Sequence, residues 1–188
     1  SKANDLVNDV NYPTNMLYAA ALEVVSRLYS RSDLLEKGEK IKEMILKQSF
    51  NGEFFCDNAV RKKGKLVLTG ECTEVCQYYA FFFGVATKSS HAKLLNILIN
   101  DFGPQRATTQ LHPNIYPANA FIGNYLRLEI LMRYGEYDKV KDNIIGFFSY
   151  MADKTGTLWE HIDTTASCNH GFASYVLCWI NEMIKKGN

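Results

Sequence analysis

The run Tyr78-Tyr79-Ala80-Phe81-Phe82-Phe83 decides the fold. Wound as a helix, it carries apolar side chains over most of its circumference, so no face of it is made for water. Phe172-Ala173-Ser174-Tyr175-Val176-Leu177 repeats the pattern near the other end. Segments of opposite character lie between. Glu36, Lys37, Glu39, Lys40, Lys42 and Glu43 crowd one, and Asp138, Lys139, Lys141 and Asp142 another. Hydrophobic periodicity places seven helical segments at Thr14–Tyr29, Asp33–Gln48, Thr73–Ala86, Ser90–Phe102, Ala118–Tyr134, Tyr137–Ala152 and Gly171–Lys185. The first, third, fifth and seventh are apolar most of the way round. The second and sixth are amphipathic, and the fourth is mildly so through His91, Lys93 and Asp101. A helix apolar all round is buried, while an amphipathic one faces water on one side. The alternation predicts an all-α fold with an inner ring of helices wrapped by an outer one. That is an α/α toroid of helical hairpins, of the (α/α)6-barrel type.

The punctuation agrees. Ser32-Asp33 caps the second helix, Gly103-Pro104 closes the fourth, and Gly135 separates the fifth from the sixth. Between the second and third helices, Phe54-Phe55 and Leu66-Val67-Leu68 flank the polar tip Arg61-Lys62-Lys63-Gly64, which reads as one short β-hairpin with a solvated end. A closed double ring of twelve helices needs on the order of 350 residues. The 188 residues here supply a little over half. Residues 1–188 are therefore read as one domain, the C-terminal portion of an incomplete barrel. Its open flank would expose apolar helix faces, to be covered by a second copy in a homodimer or by an N-terminal segment missing from the chain. The start, Ser1-Lys2-Ala3-Asn4-Asp5, has neither an initiator Met nor a signal-peptide core and reads as truncated.

Composition narrows the function. A formal net charge of +1 leaves no electrostatic footprint for nucleic acid. No apolar run reaches the roughly 18 residues of a membrane span. The five cysteines, Cys56, Cys72, Cys76, Cys168 and Cys178, give no disulfide framework. Cys72 and Cys76 are spaced for one helix face, but no second pair at ligand spacing accompanies them, so they read as small buried hydrophobes. His91, His112 and His161 show no arrangement diagnostic of a metal, and no Gly-x-Ser-x-Gly elbow occurs. No metal or cofactor is expected.

Polar and aromatic residues that a core does not need gather at the starts of the apolar helices: Asn11 to Asn15, then Glu71 to Gln77, then His112 to Tyr116, and finally Trp159 to His170. Inner helices of a toroid run parallel, so these clusters are expected at one end, with helix dipoles pointing positive ends into a cleft. The densest is Gly156-Thr157-Leu158-Trp159-Glu160, followed by Asn169-His170-Gly171-Phe172. It combines a carboxylate, a flat aromatic ring, an amide and an imidazole, the groups that hold a sugar ring and activate water beside it. Glu160 is the candidate catalytic residue, a carboxylate against an aromatic wall and hence a better base. Trp159 is a platform for a pyranose face or an anchor for the loop. His170 and Asn169 are candidate sugar contacts, with helix capping as the plainer role of Asn169. Glu74, Gln77 and Tyr78 on the first turns of the third helix, and Tyr116 with Asn119 before the fifth, complete the candidate substrate contacts.

These residues resemble a known family. Gly156-Thr157-Leu158-Trp159-Glu160, with Ser167-Cys168-Asn169-His170-Gly171-Phe172-Ala173-Ser174, is similar to the C-terminal signature of α-L-rhamnosidases of glycoside hydrolase family 78, six-hairpin glycosidases. The helices Pro117–Tyr134 and Tyr137–Met151 resemble the family in spacing. The resemblance implies an (α/α)6 barrel and cleavage of terminal L-rhamnose with inversion. It puts the general base on Glu160 and a sugar-pocket histidine on His170. The acidic motif that supplies the family's general acid has no convincing counterpart here, Glu74 being only a weak one, and Thr69–Phe83 departs from the usual sequence. The expected function is thus hydrolysis of terminal glycosidic bonds, with this chain supplying the general-base half of the site. A non-catalytic carbohydrate-binding module or a helical scaffold is the competing reading, although no solenoid-type repeat is visible.

Overall fold

Asn11 starts the first helix. Its side chain accepts hydrogen bonds from the Thr14 amide (2.9 Å) and hydroxyl (2.7 Å), and Pro13 sits just inside, where its missing N–H costs nothing. The computed structural model describes residues 8–163 and 166–187. The reading of Ser1 to Asp5, and Thr164-Thr165 of the loop after Glu160, lie outside them. The described residues form two compact units that divide in sequence between Leu94 and Leu95.

The first unit is built on helix α1 (Tyr12–Tyr29) and helix α2 (Ser32–Ser49), an antiparallel hairpin turned at Ser30 and Arg31, with Ser30 in the left-handed region. Gly38 lets the two helices approach closely, since a Cβ there would lie 3.0 Å from the Ala19 carbonyl oxygen. Glu23 and Lys42 form an ion pair between them. The buried residues Tyr12, Met16, Ala19, Leu22 and Ser26 recur at helical spacing and make one stripe on α1. Leu17, Val24, Leu28 and Tyr29 are exposed, so a helix read as apolar all round covers only one of its faces in this chain.

A three-stranded antiparallel sheet follows, in the order β1 (Val10–Asn11), β2 (Asn58–Lys62), β3 (Lys65–Leu68). Val10 pairs with Ala59, and Lys62 with Lys65. Lys63 and Gly64 both have positive φ, the signature of a two-residue type I′ turn, and they form the expected hairpin tip. Helix α3 (Glu74–Phe82) is capped by the Thr73 hydroxyl, which accepts from the Cys76 amide. It ends earlier than its apolar run, because Gly84 takes the left-handed conformation that closes a helix. Cys72 therefore precedes the helix and does not share its face with Cys76. Its thiol donates instead to the Cys56 sulfur at 3.3 Å.

Asp57 ties the sheet to α3, accepting from the Thr73 amide and hydroxyl, each at 2.8 Å. Burial pushes its carboxyl up to about 6, and the Glu71 carboxylate pushes the same way. The folded chain therefore keeps a proton between the ordinary carboxylate range and about pH 6 that the unfolded chain releases. Stability from this group is complete below the unfolded value and falls as pH rises towards 6, by up to ~3 kcal/mol. Urea unfolding of Asp57→Asn should lack that decline and exceed the natural protein in stability at pH 7. A natural protein whose midpoint stays level from pH 4 to 6 would contradict the assignment.

Helix α4 (Ala92–Asn100) carries the division between the units. In the second unit a short helix α5 (Arg106–Thr109) precedes α6 (Phe121–Arg133). The expected sixth helix is continuous but not uniform. It runs as α7 (Tyr137–Asn143), a π-helical stretch Ile144–Ser149 and α8 (Tyr150–Thr155), ending at left-handed Gly156. The last helix opens as a 3-10 turn, Gly171–Tyr175, and continues as α9 (Val176–Lys185). Leu128, Leu131, Phe147, Met151, Trp159 and Trp179 form the centre of this unit's core. No helix among the described residues is long and apolar enough to cross a membrane.

Candidate functional site

The loop after Gly156 is fixed by its backbone. The His170 amide donates to the Leu158 carbonyl, and the Glu160 amide to the Ser167 carbonyl, both at 2.8 Å. On its other side, the Phe121 amide donates to the Glu160 carbonyl (3.0 Å) and the Ile162 amide to the Asn119 carbonyl (2.9 Å). Residues 158–162 are thus the middle of a ribbon held by the start of α6 and by the return segment 167–170. This pairing explains why α6 begins at Phe121 and not at Ala118: Ala120 is extended and bridges His161.

Side chains alternate along extended backbone. Trp159 turns inward and is 1% exposed, in the core with Met151 and Trp179, with its indole N–H on the Thr155 hydroxyl at 2.7 Å. Counted among the sugar contacts from sequence, it has no free ring face and serves as the loop's anchor. Glu160 turns the other way. Its side chain is 39% exposed and lies 4.0 Å from the His161 imidazole. The aromatic wall expected beside it is therefore not the neighbouring indole.

Phe121 links Glu160 to His170. Its amide holds the Glu160 carbonyl, and its ring lies 4.7 Å from the His170 ring centre, with Phe172 5.6 Å from His170. The His170 Nδ1 is buried and has no hydrogen-bond partner among the described residues. A buried polar atom in that state is costly unless something arrives to bond it. Asn169 is exposed, and its backbone closes a small turn with the Ser167 hydroxyl. Behind this group the Tyr125 hydroxyl donates to the Phe172 carbonyl and accepts from the Tyr175 amide, fixing the turn after His170. Burial pushes that phenol up to about 12, so it remains a neutral donor. Phe121 and Tyr125 were not singled out from sequence, although aromatics four apart at a helix start share one face.

Tyr116 lies elsewhere in the same unit, on a cleft of about 320 Å³ walled by Asn119, Asn124, Leu111, Pro113 and Ile162. Glu160, Asn169 and His170 do not line it. Glu74, Gln77 and Tyr78 belong to the first unit and are buried on α3. The Tyr78 hydroxyl donates to Glu74 at 2.9 Å. The Gln77 amide bonds both the N–H and the carbonyl of Phe55 at 2.8 Å, with its second N–H on the Thr73 carbonyl. Gln77 is a structural clamp on the loop before β2, not a free sugar contact.

No protein-family profile and no curated protein sequence matches the chain. In structure it is similar to the GH78 family rhamnosidase of Bacillus sp. GL1, with a TM-score of 0.68 over 86% of this chain and 14% sequence identity. The chain spans 17% of the length of that protein. The likeness shows the fold: a helical α/α-toroid class, which here carries a small three-stranded antiparallel sheet.

Proposed function

We propose that this chain carries the water-activating part of an inverting glycoside hydrolase site of the α-L-rhamnosidase kind, with Glu160 as general base and His170 and Asn169 as sugar contacts. The observation that carries the reading is the state of the ribbon. A half-exposed carboxylate, 4.0 Å from the His161 imidazole, sits on a segment bonded along both edges, and the return segment paired with it ends at His170, whose buried Nδ1 lacks a partner among the described residues. The fold shared with a GH78 rhamnosidase supports it. Glu160 takes a proton from water as that water attacks the anomeric carbon from the face opposite the leaving oxygen. A second carboxyl about 6.5–9.5 Å away protonates the leaving oxygen. Glu74, buried and bonded to Tyr78, suits that task poorly, so the acid is assigned to a residue outside this chain.

The test is turnover of an aryl α-L-rhamnoside by the complete enzyme. Glu160→Gln should lower kcat by at least ~100-fold, the usual scale for a lost general base, with little change in KM. Near-normal kcat would remove Glu160 from the mechanism. Sugar binding with no turnover by the natural protein would favour the carbohydrate-binding alternative.

A further inference from the structure

The cleft beside Tyr116 has its own chemistry. Its volume, about 320 Å³, is at the lower end of the ~300–1,000 Å³ typical of small-molecule sites. Tyr116 is 62% exposed and offers a ring face, and Leu111, Pro113 and Ile162 supply apolar walls. Asn124 is 4% exposed; its amide N–H bonds the Ala120 carbonyl (3.0 Å), and its amide oxygen has no partner among the described residues. The charged lining residue is Arg106. Its guanidinium is buried and donates to the carbonyls of Leu111 (3.1 Å), His112 (2.7 Å) and Ile115 (2.6 Å). Arg106 thereby shapes the segment that presents Tyr116, with donors committed to that segment's carbonyls. Among the described residues no acidic one lines the cleft. A cavity with one aromatic face and amide groups, whose guanidinium is turned onto backbone carbonyls, fits an uncharged, hydroxylated ring with an apolar side.

We propose that this cleft is a saccharide subsite, separate from the Glu160 carboxylate, which takes one uncharged pyranose ring with its apolar face on Tyr116 and a hydroxyl on the Asn124 amide oxygen. That the ring is a sugar rests on the glycosidase reading. The placement fits it: Asn119 and Ile162, bonded to each other, wall the cleft and continue the same ribbon that holds Glu160 two residues away.

The experiment is an amide NMR titration of the ¹⁵N-labelled chain with methyl α-L-rhamnopyranoside and methyl α-D-glucopyranoside, and with inorganic phosphate as the anionic probe. A pyranoside should give saturable shifts at Tyr116, Asn119 and Asn124, and phosphate none. Tyr116→Ala, at an exposed position, should weaken binding about tenfold. Asn124→Leu should do the same, with its fold checked by circular dichroism. Glu160→Gln should leave the affinity within about twofold, as expected for a surface change outside the cleft. No saturable shift in the cleft, shifts confined to Glu160 and His170, or a preference for phosphate would each overturn the subsite. The two readings fail separately. A silent cleft with a large kcat loss in Glu160→Gln removes the subsite and keeps the hydrolase. Cleft binding in a protein without turnover does the reverse.

Discussion

Trp159→Ala should cost the second unit about 3–5 kcal/mol, the range for removing a large aromatic from a packed core. The indole is among the largest fully buried side chains, and its N–H would leave the Thr155 hydroxyl without that partner. Urea unfolding followed by circular dichroism reads the loss directly. Trp159→Phe should recover much of it, because most of the volume returns and only one hydrogen bond is forgone. The pair of variants separates anchor from platform. An exposed stacking ring, truncated to Ala, would leave the unfolding midpoint in place and alter only ligand affinity. A midpoint unchanged in Trp159→Ala would therefore overturn the core assignment. Loss of activity in that variant says nothing about sugar stacking unless the fold is first shown to survive.

Arg127→Met should be comparably severe, at about 3–5 kcal/mol, for a different reason. Arg127 is 1% exposed on α6, yet each of its three guanidinium nitrogens donates a hydrogen bond. It donates to the Leu98 carbonyl, to the Ile99 carbonyl at 3.1 Å and to the Asn143 side chain at 2.9 Å. Those carbonyls belong to the last turn of α4, where helix geometry leaves acceptors without partners. One side chain thus caps α4 and fastens it to α6 and α7. Methionine fills a similar volume but leaves the acceptors buried and unbonded, so the cost is in hydrogen bonding and not in packing. Gly103 has the matching constraint: a Cβ there would approach the Arg127 Nε to 2.8 Å. Unfolding within 1 kcal/mol of the natural protein would show that water satisfies those carbonyls.

The helices were legible where local chemistry alone decides them. Lys63 with Gly64, Gly135 and Gly156 mark turns and stops that the structure respects, whereas Ser32 with Asp33 stands at the start of α2 without giving it a side-chain cap. Gly84 carried an equally local signal, outweighed by the apolar run that it interrupts. Long-range pairing was not legible. Nothing near Ala118 announces that Ala120 will be drawn straight by its bridge to His161. Neither does composition distinguish the π-helical stretch at Ile144–Ser149 from ordinary helix, since both bury Phe147 and Phe148. At the candidate site the sequence marked a loop and set the Trp159 ring beside the Glu160 carboxylate. Trp159 and Glu160 are neighbours in sequence and, on extended backbone, opposites in space. Gln77 was misread similarly, because a buried amide that clamps a distant backbone looks the same in sequence as one waiting for a ligand.

Glu160 is positioned entirely by its main chain, through Ser167 on one edge and Phe121 on the other. Beyond a 4.0 Å approach to His161, its carboxylate has no hydrogen bond among the described residues that would hold it there. Address and occupant are consequently inherited separately: a mutation can exchange the acid for another side chain while the address persists. A frame of this kind can exchange the side chain at position 160 many times without ever refolding.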